Sequence, residues 1–179
     1  MADADLIDDL PDDKAGRYAA LADLLTAILD GEPNRIARLA TAVSLLTSAF
    51  APRFFWTGFY LVDPDDPHQL VVGPYQGTLG CLRIQLGRGV CGTAAASGTT
   101  VVVPDVHAFP GHIACDSRSK SEIVVPLIDD NGLLVGVLDV DSTELDAFDA
   151  TDQAGLERLC AVLCSRAIDS SESVPPPGT

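Results

Sequence analysis

Asp130-Asn131-Gly132 separates two strand-like runs, Glu122 to Ile128 and Leu133 to Val140. Asn-Gly tolerates the positive φ angles of a tight turn, so the runs are expected to fold back on each other as an antiparallel hairpin. A hairpin needs further strands before it is stable. Phe54 to Val62, Gln69 to Val72, Cys81 to Leu86 and Thr100 to Val103 supply them, with Asp63-Pro64-Asp65-Asp66-Pro67 as a turn.

Helical spacing flanks this β-rich middle. Leu21, Leu24, Leu25 and Ile28 mark a helix over Arg17 to Leu29, which Gly31 ends. Pro33 reads as the first turn of a second helix, whose stripe runs through Ile36, Leu39, Val43 and Leu46 until Pro52 closes it. A short Ala-rich helix is expected over Val90 to Ser97. A last one runs from about Thr151 to Ile168, with Asp149 or Thr151 as its cap. Asp105 to Ser121 has no period, and a loop of that length in a compact domain is usually functional. Residues 1–16 read as an acidic arm and 169–179 as a disordered tail. Helices, antiparallel strands and a closing helix make one α+β domain around a central sheet.

A net charge of -15 argues against nucleic acid and against anionic membrane surfaces as partners. The first residues lack a basic region followed by an apolar run, and no apolar stretch approaches about 20 residues. A cytoplasmic protein is expected, where thiols stay reduced. Its five cysteines then suggest chemistry, a metal or core packing rather than a disulfide framework.

Cys160 and Cys164 share a helix face with Leu156 and Leu163 and read as core filler. Cys81, Cys91 and Cys115 fit no apolar period, so each is either a buried structural thiol or a reactive one. Cys91 follows Gly87-Arg88-Gly89 at a helix start, where the helix dipole is expected to favour thiolate. Cys115 has His112 and Arg118 nearby in sequence, opposed by Asp116. A metal held by these three cysteines with His107 or His112 is disfavoured, because the set lacks the close pairs of structural zinc sites.

Asp139 and Asp141 lie two apart on a strand and face the same way, with Glu122 expected on the neighbouring strand. Three acids at one sheet end raise one another's pKa and call for a proton or a cation. They suit a substrate ammonium while one carboxyl stays protonated. Trp56 and Tyr60 also share a face, and a methyl-thioether end packs well against an indole.

Longer motifs carry a resemblance. They include Trp56-Thr57-Gly58-Phe59-Tyr60, Gly73-Pro74-Tyr75-Gln76-Gly77, Gly87 to Gly92, Val103 to His107, Phe109 to Asp116, Ser121 to Pro126 and Gly136 to Ser142. Together they resemble the free methionine-(R)-sulfoxide reductases, catalytic members of the GAF-domain fold, over roughly Arg17 to Ile168. Tyr75 and Leu79-Gly80 depart from the usual pattern without touching a group expected to do chemistry.

The resemblance implies a GAF-like central antiparallel sheet of about six strands flanked by helices. It implies that Cys115 attacks the sulfoxide and that Cys91 and Cys81 resolve the resulting sulfenic acid. Trp56, Tyr60, Glu122, Asp139 and Asp141 become the substrate pocket, with Glu122 or Asp141 as proton donor. Thioredoxin is the implied reductant and a homodimer the implied assembly. No cofactor and no metal are called for. The alternative on the same fold is a sensor module that binds a small ligand without turnover.

Overall fold

Two side-chain caps start the helical layer. The structure, a computed structural model, describes residues 7, 9–113 and 115–165. The Asp13 carboxylate accepts the Gly16 N–H at 2.8 Å and opens α1 (Lys14–Ile28). The Asn34 side chain accepts the Ala37 N–H at 3.0 Å and opens α2 (Arg35–Phe50). Thus α1 begins at Lys14 rather than Arg17, and Pro33 precedes the cap instead of sitting in the first turn. Lys14, the first helical residue, makes ion pairs of 2.7 Å with both Asp149 and Asp152.

The remaining elements are β1 (Trp56–Val62), β2 (Gln69–Gln76), β3 (Arg83–Gln85), α3 (Gly89–Ser97), β4 (Val101–Val103), β5 (Ser121–Ile128), β6 (Leu134–Ser142) and α4 (Ala150–Cys164). The strands form a six-stranded sheet in the order β3-β2-β1-β6-β5-β4. Every neighbouring pair is antiparallel. The expected α+β architecture is present, with different element ends. β2 runs on to Gln76, β3 is shorter than its alternating segment, and β6 continues through Asp141 to Ser142. That extension is held from both sides, because Asp141 pairs with Trp56 on β1 and with Glu122 on β5.

The β5–β6 hairpin closes through Asp130 to Gly132, with the Gly132 N–H donating to the Asp129 carbonyl at 2.9 Å. Only Gly132 takes a positive φ there (79°). Asn131 instead donates its N–H to the Asp129 carboxylate, as does Leu133. Asp149, not Thr151, caps α4 in a reciprocal capping box with Asp152. Among the described residues, the long loop from Asp105 contains one 3-10 turn, Val106–Ala108, before β5. The expected helix end at Ile168 and the tail lie outside the described residues.

Alternation along the strands gives the sheet two apolar faces. Phe59, Ile123, Val125, Leu138 and Val140 pack against α1, α2 and α4. Trp56, Tyr60, Val124 and Val137 face the other way, under Val90, Cys91, Ala94 and Ala95 of α3. Cys160 and Cys164 lie in the first core, as core filler should. Around the helices, Asp152 is fully buried and receives Lys14, Arg53 and the Tyr18 hydroxyl. The buried Arg38 guanidinium donates to carbonyls at the ends of α1 and α4, including Leu29 and Leu163. Among the described residues no helix is long and apolar enough to cross a membrane.

Candidate active site

Strand register assembles the polar centre. Trp56, Asp141 and Glu122 stand side by side across β1, β6 and β5, and the next row on that face is Gly58, Asp139 and Val124. Directly paired residues project to the same side of a sheet, so all three acids point toward α3. From α3, Cys91 lowers its thiol onto them, with Sγ 3.9 Å from Glu122 Oε1. One ligand atom each of Cys91, Glu122 and Asp139 lies within 4.8 Å of the others.

Burial dominates the electrostatics. Glu122 and Asp139 each keep 6% of their surface. Burial pushes the Glu122 carboxyl well above the usual range, and Asp139 and Asp141 push it further. Asp141 rises through burial and the nearby Asp139, opposed by the Ser119 hydroxyl. Asp139 is raised by burial to about 7, held back by hydrogen bonds with Cys91 and Glu122. Among the described residues its Oδ1 is a buried oxygen without a hydrogen-bond partner. Such an orphan acceptor is costly unless a ligand N–H satisfies it.

Cys91 corrects the expectation that a helix start favours its thiolate. The thiol is 4% exposed, and burial raises its pKa well above the ordinary value, followed by Asp139 and Glu122. Desolvation and two carboxylates outweigh the dipole of a helix this short. His112 also differs from its sequence reading. Burial and then His107 lower its pKa, so it is neutral near pH 7, with Nε2 4.0 Å from Glu122 Oε2. Arg118, expected to act on Cys115, is paired with Asp116 at 2.8 Å.

Aromatic rings build one wall. Trp56 stacks on Tyr60 at a centroid distance of 5.8 Å and on Tyr75 at 5.3 Å. Its indole N–H donates to the Thr78 carbonyl at 2.9 Å, tying the following loop to the wall. Tyr60 is held in its phenol form by burial and by Asp139. The two departures from the family pattern are closer to the chemistry than expected: Tyr75 supports Trp56, while Leu79 and Gly80 line the pocket. Gly80 fits closely there, because a Cβ would lie 2.8 Å from the Tyr60 hydroxyl and something would have to shift.

A disulfide joins Cys81 and Cys115 at the rim, with Cα atoms 5.7 Å apart. It removes both cysteines from the three-cysteine metal set considered from sequence. The atoms of Cys91, Glu122 and Asp139 are close enough for one cation, but each group is held toward its protonated form, so the trio suits proton sharing better.

The pocket is open to solvent, with a cavity volume of about 40 Å³. It brings together Cys91, Cys115, Glu122, Asp139, Asp141 and the Trp56–Tyr60 wall. Cys81 is bonded to the lining residue Cys115 and packs against the Trp56–Tyr60–Cys91 cluster without lining the pocket itself. Sequence reasoning did not place Ser119 or Arg88 here, and both are lining residues. Ser119 had no signal beyond membership of the long unpatterned loop. In its dithiol form the Cys81–Cys115 pair, beside carboxyls that retain protons, can reduce a bound acceptor and protonate its leaving oxygen.

Comparison with known proteins agrees with this geometry. The GAF domain family matches residues 37–169. GAF domain-containing protein A of Dictyostelium discoideum is 49% identical over 84% of this chain and 92% of its own. The free methionine-R-sulfoxide reductase of Escherichia coli is 46% identical over 82% of this chain and 86% of its own. The X-ray structure of free methionine-R-sulfoxide reductase from Neisseria meningitidis in complex with its substrate superposes with a TM-score of 0.82 at 48% identity, covering 88% of this chain and 92% of that one. With the GAF sheet, the pocket and these relatives in agreement, the chain belongs to the free methionine-R-sulfoxide reductase family of GAF-domain proteins.

Proposed function

We propose that this protein reduces free L-methionine-(R)-S-oxide to methionine, with Cys115 as the attacking thiol. One observation carries the reading: a rim disulfide involving Cys115 and the clustered carboxyls of Glu122, Asp139 and Asp141 share one pocket. Asp139 accepts the substrate α-ammonium, which fits its unpartnered Oδ1. The S-methyl end packs on Trp56 beside Tyr60.

The Cys115 thiolate attacks the sulfoxide sulfur. Glu122 or Asp141 donates a proton to the sulfoxide oxygen, which is transferred to Cys115 so that methionine leaves and Cys115 is a sulfenic acid. The Cys81 or Cys91 thiol then condenses with it, forming a disulfide and releasing water. Thioredoxin, a dithiol, reduces that disulfide by exchange and takes up the oxidation. The enzyme works as a homodimer in the cytoplasm, without a bound cofactor.

The test is NADPH oxidation coupled through thioredoxin and its reductase. Wild type should turn over free methionine sulfoxide, N-acetylmethionine sulfoxide should be at least tenfold poorer because the ammonium is gone, and Cys115→Ser should be inactive. Equal rates on free and acetylated substrate defeat the ammonium assignment. An inactive wild type defeats the reductase reading and leaves a ligand-binding sensor.

A further inference from the structure

The two loops that carry Cys81 and Cys115 are joined by more than sulfur. Asp116, next to Cys115, accepts the Thr78 hydroxyl through Oδ2 at 2.6 Å. The same carboxylate receives the Arg118 side chain at 2.8 Å and the Arg118 backbone N–H at 2.9 Å, so it is committed to its charged form. Both loops are then anchored to the start of β1. Thr78 is held through its carbonyl by the Trp56 indole, and the Arg118 guanidinium lies over the Phe55 ring at 4.6 Å. Phe55 and Trp56 are adjacent, and the Phe55 N–H is fixed to the Asp141 carbonyl at 2.9 Å.

We infer that Asp116 and Thr78 form a clasp that presents Cys115 to Cys81, with Asp116 as a positioning residue for disulfide formation. The inference rests on the proposed sulfenic acid chemistry for its role in turnover. There the Cys115 sulfenic acid condenses with the Cys81 thiol, forming the S–S bond and losing water. Holding the two sulfurs together makes that step effectively unimolecular, and the rate gain comes from ordering done beforehand. Clasp and disulfide are linked: what the clasp contributes to closing the S–S bond, the bond returns to the clasp. The clasp also explains why an otherwise irregular loop carries a charged residue directly beside the reactive cysteine. Arg118 neutralises Asp116, so the carboxylate can grip Thr78 without leaving a bare negative charge at the sulfur.

Thr78 is the position to test, because changing it leaves the charges around Cys115 intact. The full-length protein is equilibrated in glutathione buffers, where the reduced pair and oxidised glutathione exchange with the Cys81–Cys115 disulfide and two reduced glutathiones. Acid quenching, alkylation and peptide mass mapping read the Cys81–Cys115 pair. Thr78→Val should lower its equilibrium constant about tenfold, the scale of one charge-assisted hydrogen bond. Thr78→Ser should stay within about twofold of wild type, because the hydroxyl is kept. Equal constants for wild type and Thr78→Val overturn the clasp. An equal fall in Thr78→Ser overturns it too, since the hydroxyl would then not be the cause. No sulfoxide enters the measurement, so a failure of the reductase reading is seen separately, in the coupled assay.

Discussion

Glu122 and Asp141 are direct cross-strand partners on β5 and β6, two carboxyls facing α3 from inner strands of the sheet. Like charges at such positions are destabilising, so the pair persists by holding protons. In the proposed cycle the substrate ammonium goes to Asp139, and the proton held by the pair is what the departing oxygen needs. Glu122→Gln keeps the shape and removes the transferable proton. With Glu122 as donor, kcat should fall by about 10²–10⁴-fold, with a smaller change in KM. Steady-state kinetics at pH 7 check this, and an unchanged kcat assigns the proton to Asp141.

Asp139 gives the fold a pH dependence of definite sign. Its carboxyl titrates near 7 in the folded protein against an ordinary 3.8. Between those values the native state holds a proton that the unfolded chain has released, so stability falls as pH rises through the window. Asp149 acts oppositely: Lys14 lowers its pKa, and its contribution is lost only as pH falls below the ordinary carboxyl range. The melting temperature should therefore peak near the low end of the Asp139 window and decline by several degrees toward pH 8. Asp139→Asn should remove part of that decline and melt above wild type at pH 8. Melting curves that run parallel for the two proteins from pH 4 to 8 would contradict the assignment.

Period-two alternation made the acid wall legible. Their two-residue spacing puts Asp139 and Asp141 on one face, the Asn131-Gly132 hairpin makes the Glu122 strand their expected neighbour, and Glu122 pairs directly with Asp141. Trp56 and Tyr60 followed from the same rule on β1. What stayed hidden depends on contacts far apart in sequence. Cys91 looked like an activated thiol until α3 pressed it onto Glu122 and Asp139. The Cys81–Cys115 pairing is set by the meeting of two unpatterned loops, and no local spacing encodes it. The start of α1 at Lys14 had a local signal in its cap, Asp13, whereas the ion pairs of Lys14 with Asp149 and Asp152 join residues from opposite ends of the domain.

Gly80 tests whether the aromatic wall sets the position of the Cys81 loop. A Cβ at this position would lie 2.8 Å from the Tyr60 hydroxyl and 3.1 Å from the Trp56 ring. Gly80→Ala must therefore lift the loop or displace the rings. Misplacement on that scale near reacting groups can cost about 10²-fold in rate. We expect kcat/KM to fall by about 10–100-fold while the melting temperature moves by only a few degrees, because the residue lies in a half-buried loop. A variant with normal kinetics would show that the loop position does not matter to turnover.

Asp152 lies on the opposite side of the sheet and separates stability from chemistry. Its carboxylate is fully buried and pairs with Lys14 and Arg53 at 2.7 Å, while the Tyr18 hydroxyl donates to it at 2.9 Å. It thereby ties α1, the segment after α2 and the first turn of α4 into one unit. Asp152→Asn keeps the volume but strips the charge from under two cations. Breaking a buried pair by removing one partner costs about 3–5 kcal/mol, but Lys14 and Arg53 each keep part of their side chains in water, so the lower end applies. For a domain of this size the melting temperature should then drop on the order of 10 °C. The pocket is lined from the α3 side, so kcat and KM measured well below the melt should match wild type. Loss of activity in a variant that is still folded at the assay temperature would mean that the helical layer, and not only the strand register, positions the acids.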